Sequence, residues 1–469
     1  MNDTICAPAT APGGALGIIR ISGSDAFPIV SALCPLCCDT IAANTVHFTR
    51  ITIPPPIGGG RGEVLDEVVL SIFHAPHSYT GEDTVEISCH GSSYITNKIL
   101  QLLVQNGCRM AHPGEFTQRA YLNRKMDLSQ AEAVADLIAS TNKATHDIAM
   151  NQLRGHFSSD LSKLRDQLLK LTSLLELELD FSDHEDLEFA DRTELLTLAQ
   201  TIDAHIIRLA RSFETGQALK QGIPVAIVGK TNVGKSTLLN ALLHDDRAIV
   251  SDIHGTTRDT IEDTIDIQGV TFRFIDTAGI RQTDDKIELM GIERTYQMID
   301  KARIILWLID QQPTEEEQQD METRCQNKKL IIVCNKSDKG VAVANSTFFT
   351  PFPTDGRLPV SFHSSLIKIS AKHGHGLEAL ERAIYQAADI PTLTGSDIIV
   401  TNARHYDALT HAHDNLSRVL SGLETQLSGD LIAEDLRLVI SNLAEITGEE
   451  QITSQETLNN IFSHFCVGK

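Results

Sequence analysis

Long apolar runs are missing from this chain of 469 residues. None approaches the ~20 residues that a membrane-spanning helix needs. The first residues also lack the basic stretch and apolar core of a secretory leader. Both absences point to a cytoplasmic protein with no membrane partner. Basic charge is scarce too: 40 Lys and Arg stand against 62 Asp and Glu, a net charge of -22. That excess argues against broad coating of nucleic acid while leaving room for a local basic patch. Paired cysteine is the third shortage. The nine cysteines (Cys6, Cys34, Cys37, Cys38, Cys89, Cys108, Cys325, Cys334 and Cys466) are odd in number and scattered. In a reducing compartment that pattern does not predict a disulfide framework. Cys34, Cys37 and Cys38 have zinc-knuckle spacing, but no second Cys/His pair follows at a suitable distance, so buried or inert thiols are the default.

The length suits about three domains, and four regions separate on pattern. Residues 1–122 mix strand-like stretches (16–21, 67–73, 84–89) with turns, a helix from Ser92 to Val104 and a Pro54-to-Gly60 loop, which reads as a small α+β domain. Residues 123–215 are helical. Ser129 and Glu132 have the spacing of a capping box before a helix through Ile138. Leu161, Leu164, Leu168, Leu171 and Leu175 then form one apolar stripe; after an acidic interruption (176–188) it resumes at Leu195, Ala199, Ile202, Ile206, Leu209 and Phe213. Such stripes predict bundle core. Residues 216–388 alternate strands and helices, a doubly wound α/β domain, and residues 389–469 return to helix. The economical arrangement is one helical bundle with the α/β domain inserted between its halves.

That inserted domain carries the chemistry. Gly229-Lys230-Thr231-Asn232-Val233-Gly234-Lys235-Ser236 is a P-loop between a strand at 224–228 and a helix from Thr237. Its glycines let backbone N–H groups turn onto phosphate oxygens, Lys235 reaches the β- and γ-phosphates, and Ser236 offers its hydroxyl to Mg2+. Asp276-Thr277-Ala278-Gly279 closes a strand at 271–275, after a hairpin turn at Gln268-Gly269; its aspartate can hold the Mg2+ shell and its glycine N–H can sense the γ-phosphate. Asn335-Lys336-Ser337-Asp338 follows a strand at 329–334, and Asp338 can accept both guanine N–H donors, which adenine cannot offer. Ser370-Ala371-Lys372, after a strand at 366–369, can complete the base pocket through backbone N–H groups. In this order, each at a strand end, these motifs predict a GTPase.

Two details bear on mechanism. Ile280 follows Gly279 where Ras-like enzymes carry the glutamine that orients water. Glu288 is a candidate replacement; the alternative is a solvated carboxylate. Asn232 lies inside the P-loop, and Ser251, Asp252, Ile253, His254, Gly255, Thr256 and Thr257 precede Arg258 and Asp259. An amide oxygen plus loop carbonyls can cage K+ beside the phosphates, supplying the charge of an arginine finger.

Gly255-Thr256-Thr257-Arg258-Asp259 with Asn232 resembles the K+-dependent GTPases of translation and ribosome assembly. Thr80-Gly81-Glu82-Asp83, the Pro113-to-Ala120 and Met126-to-Ala133 stretches and the Phe462-to-Lys469 stretch resemble the MnmE (TrmE) family, and this resemblance covers essentially the whole chain. It implies a homodimer working with the flavoprotein MnmG, which carries FAD, in a heterotetramer or larger complex. The pair would install an aminomethyl or carboxymethylaminomethyl group at C5 of the wobble uridine of certain tRNAs. The one-carbon unit would come from a tetrahydrofolate derivative (5,10-methylene or 5-formyl) on the N-terminal domain, through Arg20, Glu82, Lys125 and Lys469. The resemblance further implies K+ at Asn232, Ser251, Ile253 and Thr256, Mg2+ at Ser236 and Thr257, a catalytic role for Glu288 and a functional Cys466. Glu82 suits the pterin's amino and ring N–H donors, and the cations suit its acceptors or glutamyl tail.

Some positions depart from the family pattern. The loop 9–17 is about one residue short and has no arginine, Val467 replaces isoleucine or leucine, and 342–365 is longer and more irregular. Two rival readings share some of the motifs: a ribosome-assembly GTPase, and a non-catalytic folate- or nucleotide-sensing scaffold.

Overall fold

The computed structural model describes residues 3–53, 62–180, 192–245, 263–275, 288–326, 328–339, 366–390, 398–425, 427–448, 458, 461–463, 465 and 468. They fall into two compact units, one of residues 1–139, 149–206 and 407–469, the other of 140–148 and 207–406.

The first unit opens with a six-stranded sheet: β1 (Ile5–Pro8), β2 (Leu16–Ser22), β3 (Thr45–Ile53), β4 (Glu63–Phe73), β5 (Thr84–His90) and β6 (Arg109–Met110) in the order β3-β4-β5-β2-β1-β6. Its neighbours are antiparallel except β1 and β6. Alternation explains the packing. Val68, Leu70 and Ile72 of β4 and Val85 and Ile87 of β5 point to one face, where they join a core with Ile29 and Val30 of α1 (Ala26–Ser31) and Ile99 and Leu103 of α2 (Ser93–Gln105). Cys34 and Cys38 are buried in this core and Cys37 is exposed.

Helices α3 (Glu115–Leu122), α4 (Leu128–Ala139), α5 (Lys143–Leu153), α6 (His156–Asp180) and α7 (Arg192–Gln221) follow. The cap of α4 corrects the sequence reading. The Asp127 side chain accepts from the Gln130 N–H (2.9 Å), and Gln130 Oε1 accepts from the Asp127 N–H (2.9 Å), a capping box that sits upstream of Ser129 and Glu132. Ser129 instead lies buried inside the helix, donating to Asp127 Oδ1 at 2.8 Å. The leucine stripe of α6 and the stripe of α7 from Leu195 to Leu209 are buried, as their spacing predicts; Phe213 is half-buried and stacks on Tyr406. Helix α6 runs on to Asp180, into the acidic stretch.

The second unit holds β7 (Ile223–Val228), α8 (Lys235–Asp245), β8 (Asp263–Ile267), β9 (Val270–Phe274), α9 (Glu288–Lys301), β10 (Ile304–Ile309), α10 (Glu315–Arg324), β11 (Lys329–Cys334), β12 (Leu366–Lys368) and α11 (Leu377–Ala387). The sheet order is β12-β11-β10-β7-β9-β8, parallel except for the β8–β9 hairpin. Every residue of β10 is buried, as is all of β11 after Lys329, because a parallel sheet is covered on both faces. Gln268 (φ 55°) and Gly269 (φ 82°) turn the hairpin at the predicted place.

The chain returns to the first unit through α12 (Ala403–Glu424) and α13 (Gly429–Thr447). Leu458, Phe462 and Phe465 there pack with Leu128 and Ala131 of α4. The architecture is an α+β domain, a set of helices and a doubly wound domain inserted among them. Among the described residues, no helix is long and apolar enough to cross a membrane.

Candidate nucleotide site

β7 has β10 on one side and β9 on the other, so the connections beyond its C-terminal end diverge and open a crevice there. Residues 229–236 occupy that position. Gly229 (φ 151°) and Gly234 (φ 102°) take left-handed backbone, and a Cβ on them would strike the Leu308 carbonyl and the Asn335 amide respectively. Asn232 (φ 63°) sits in the left-handed region that asparagine tolerates. Such a turn running into the N-terminus of α8 forms an anion cradle. Lys235 Nζ donates to the carbonyls of Gly229 (2.6 Å) and Lys230 (2.8 Å), and burial pushes its ammonium below the usual range.

Three loops lock together at this end of the sheet. Asn335, 4% exposed, donates through Nδ2 to the Val233 carbonyl (2.9 Å) and accepts the Ala371 N–H on Oδ1 (3.0 Å). One side chain thus joins the loops after β7, β11 and β12. Lys336 Nζ donates to the Asn232 carbonyl (2.8 Å) and pairs with Asp310 (2.7 Å). Asp338 accepts the Ser370 hydroxyl at 2.7 Å, which holds its carboxyl below the usual range. An ionised carboxylate only accepts, as a base edge with two N–H donors requires. Lys372 is exposed beside Ala371.

The structure therefore brings together Asn232, Val233, Gly234, Lys235, Ser236 and Thr237 with Asn335, Lys336, Asp338, Ser370, Ala371 and Lys372. Glu288 is described only as the first residue of α9. Ser251, Asp252, Ile253, His254, Gly255, Thr256, Thr257, Asp276, Thr277, Ala278, Gly279, Ile280, Cys466 and Lys469 lie outside the described residues. The donor set that can be tested fits the expected ions in type: Ser236 is the second residue of α8, at the cradle, and Asn232 is an exposed amide on the P-loop.

A second cluster lies in the first unit. Arg20 pairs with Glu86 (2.8 Å), lies over the rings of Tyr79 and Phe116, and approaches the Gly468 carbonyl at 3.5 Å. Ser22, on the same face of β2, donates to Glu82 at 2.8 Å. Lys125 Nζ donates to the Pro76 carbonyl (2.9 Å), and its side chain lies against Gly81. Arg20, Glu82 and Lys125 are thus neighbours of one loop, residues 76–82, and the segment before Lys469 meets it at Arg20. Their spare donors and acceptors suit a pterin and an acidic tail.

Sequence reasoning missed three residues. Asp310 holds Lys336, Glu317 pairs with Lys230 at 2.6 Å, and Arg119 grips Glu82. Arg119 stands within the Pro113-to-Ala120 motif, the only signal that pointed to it.

A phosphate cradle at the switch point of a mostly parallel sheet, tied to a carboxylate-bearing base loop, defines a P-loop nucleotide-binding domain of the GTPase class. The MnmE helical domain matches residues 128–466, and the GTP-binding protein TrmE N-terminus matches residues 4–125. The chain belongs to the MnmE (TrmE) family. Proteins named tRNA modification GTPase MnmE are similar over its whole length. That of Phocaeicola vulgatus is 54% identical over 100% of this chain and 99% of its own. That of Bacteroides thetaiotaomicron is 52% identical over 100% of both, and that of Flavobacterium johnsoniae is 47% identical over 100% of this chain and 99% of its own.

Proposed function

We propose that the chain hydrolyses GTP to GDP and phosphate as part of tRNA modification. The observation that carries this reading is the Asn335 lock, which sets the phosphate cradle and the Asp338 carboxylate in one frame. Phosphate binding and guanine selection then act on one ligand. Lys235 and the cradle bind the phosphates, Asp338 orients the base, and the Ala371 backbone closes the base pocket. Mg2+ held by Ser236 and Thr257, and K+ held by Asn232, Ser251, Ile253 and Thr256, would neutralise charge on the phosphates when bound. Glu288 replaces the water-orienting glutamine that Ile280 cannot supply.

The finer reading follows the family. The chain acts as a homodimer with MnmG, which carries FAD, on C5 of the wobble uridine of certain tRNAs. Arg20, Glu82, Lys125 and Lys469 bind the tetrahydrofolate derivative that supplies the one-carbon unit, and Cys466 serves the same site. The cytoplasm, where tRNA is found, is its place of work. The two family matches favour this over the ribosome-assembly and scaffold readings. Mass spectrometry of wobble uridine in a deletion strain tests the pathway: unmodified uridine is expected, and normal modification refutes it. GTP hydrolysis in KCl against NaCl tests the cation; a higher rate in KCl is expected, and equal rates remove the K+ site.

A further inference from the structure

Among the described residues, the largest fully buried side chain in the first unit is an arginine. Arg119, 1% exposed, donates from Nη1 to the Asp3 carbonyl (2.8 Å) and to both oxygens of Glu82 (3.1 and 3.2 Å), and from Nη2 to Asp3 Oδ1 (2.8 Å) and Glu115 Oε1 (3.2 Å). Its Nε has no hydrogen-bond partner among the described residues. A buried guanidinium persists only when paired, and removing one partner leaves an uncompensated charge. The three carboxylates around it are used differently. Glu115, 4% exposed, is also taken by Arg109 and by the His112 N–H. Asp3 is also taken by Arg109. Glu82, 19% exposed, meets no second cation among the described residues; its other grip is the Ser22 hydroxyl, 2.8 Å from Oε2.

Ser22 has one proton and gives it to Glu82, so the buried Thr80 hydroxyl, 2.7 Å away, donates to Ser22. The Glu82 N–H donates back to Thr80 Oγ1 at 3.2 Å. Glu82 is thereby fixed from two directions, by a buried cation on α3 and by a buried hydroxyl on β2. Among the described residues Oε1 takes only the longer Arg119 bond, while Oε2 takes Arg119 and Ser22, so the carboxylate keeps acceptor capacity for a ligand.

We propose that Arg119 and Ser22 are positioning residues that aim the Glu82 carboxylate at the paired N–H donors of a pterin. This rests on the folate reading of Arg20, Glu82 and Lys125. A carboxylate held at a fixed angle accepts an exocyclic amine and a ring N–H side by side; one that swings accepts either poorly. The two residues therefore set discrimination for the 2-amino group, beyond any part they play in stability.

Titration calorimetry of the full-length protein with 5-formyltetrahydrofolate and with its 2-desamino-2-methyl analogue tests this, using Ser22→Ala, Arg119→Lys and Arg109→Gln. Wild type should prefer the amino compound. Ser22→Ala and Arg119→Lys should weaken its binding about tenfold, the scale of a lost hydrogen bond to a charged group. Binding of the analogue should change little, so that the preference collapses. Arg109→Gln, which touches Asp3 and Glu115 and not Glu82, should keep the preference. If Arg119→Lys does not fold, Ser22→Ala decides, since it removes one hydroxyl. Equal weakening of both compounds, or an unchanged preference in Ser22→Ala, overturns the positioning role while the folate reading stands. A wild type that binds neither compound overturns both.

Discussion

Replacing Asn335 with alanine should damage stability and nucleotide affinity together. The side chain serves two backbone groups, the Val233 carbonyl and the Ala371 N–H, and both residues are nearly inaccessible, at 1% and 5% exposure. Alanine reaches neither. A buried backbone group left unpaired costs about 1–3 kcal/mol, so two orphans predict a loss of about 2–6 kcal/mol. Even the lower figure changes the unfolding equilibrium about 30-fold. The sequence supplies a reporter for this unit. Trp307, the single tryptophan, lies on β10 at 7% exposure, so its fluorescence follows the α/β sheet. Urea unfolding read at Trp307 should show a lower midpoint with an unchanged slope. Thr323→Ala, an exposed hydroxyl on α10, is the control and should stay within about 0.5 kcal/mol of the parent. GDP titration should show a parallel loss of affinity, because the cradle and the base loop lose their shared tie. A midpoint for Asn335→Ala within the control's shift would refute the lock.

Two further expectations concern the first unit. Asp127→Ala removes the acceptor for the Gln130 N–H and should cost about 1 kcal/mol; thermal unfolding followed by circular dichroism should show the lower midpoint, and an unchanged midpoint would count against the cap. Burial pushes the Glu115 carboxyl up, but hydrogen bonds from Arg109, the His112 N–H and Arg119 outweigh it and hold the group below its ordinary 4.5. Between that lowered value and 4.5 the unfolded chain binds a proton that the folded one does not. This contribution is complete above 4.5 and is lost as pH falls through the lowered value. Denaturation at pH about 6 and about 3.5 should show a steeper acid loss for the parent than for Glu115→Gln, and parallel losses would contradict it.

The stripes of α6 and α7, the Gln268-Gly269 turn and the strand–loop–helix around Gly229 were legible in sequence, because each depends on neighbours a few positions apart. The cap of α4 was not. Asp127, Ser129, Gln130 and Glu132 offer two overlapping capping patterns, and burial of Ser129 against Ser158, far along the chain, selects between them. The burial and partners of Arg119 were hidden for a related reason, although its motif stood out. Its partners come from positions 3, 82 and 115, and nothing in its own surroundings marks it as buried. Motifs revealed which nucleotide groups meet, while Asp310 and Glu317, which hold those motifs in place, belong to no pattern.

The first unit is finished late. Gly114 is pressed against Phe462, Tyr121 donates to the Gly448 carbonyl at 3.0 Å, and Leu128 packs with Leu458 and Phe462. A ribosome synthesises residues 207–406, the body of the α/β unit, before it reaches these partners. The nucleotide domain can therefore complete its fold while α3 and α4 of the earlier-made unit wait with apolar faces uncovered. The last partners of α3 and α4 thus leave the ribosome only after the α/β unit is complete, and apolar surface left open in this way is what makes incomplete chains prone to aggregate. A nonsense mutation near residue 450 would uncover a domain that begins more than 300 residues upstream, instead of trimming a tail.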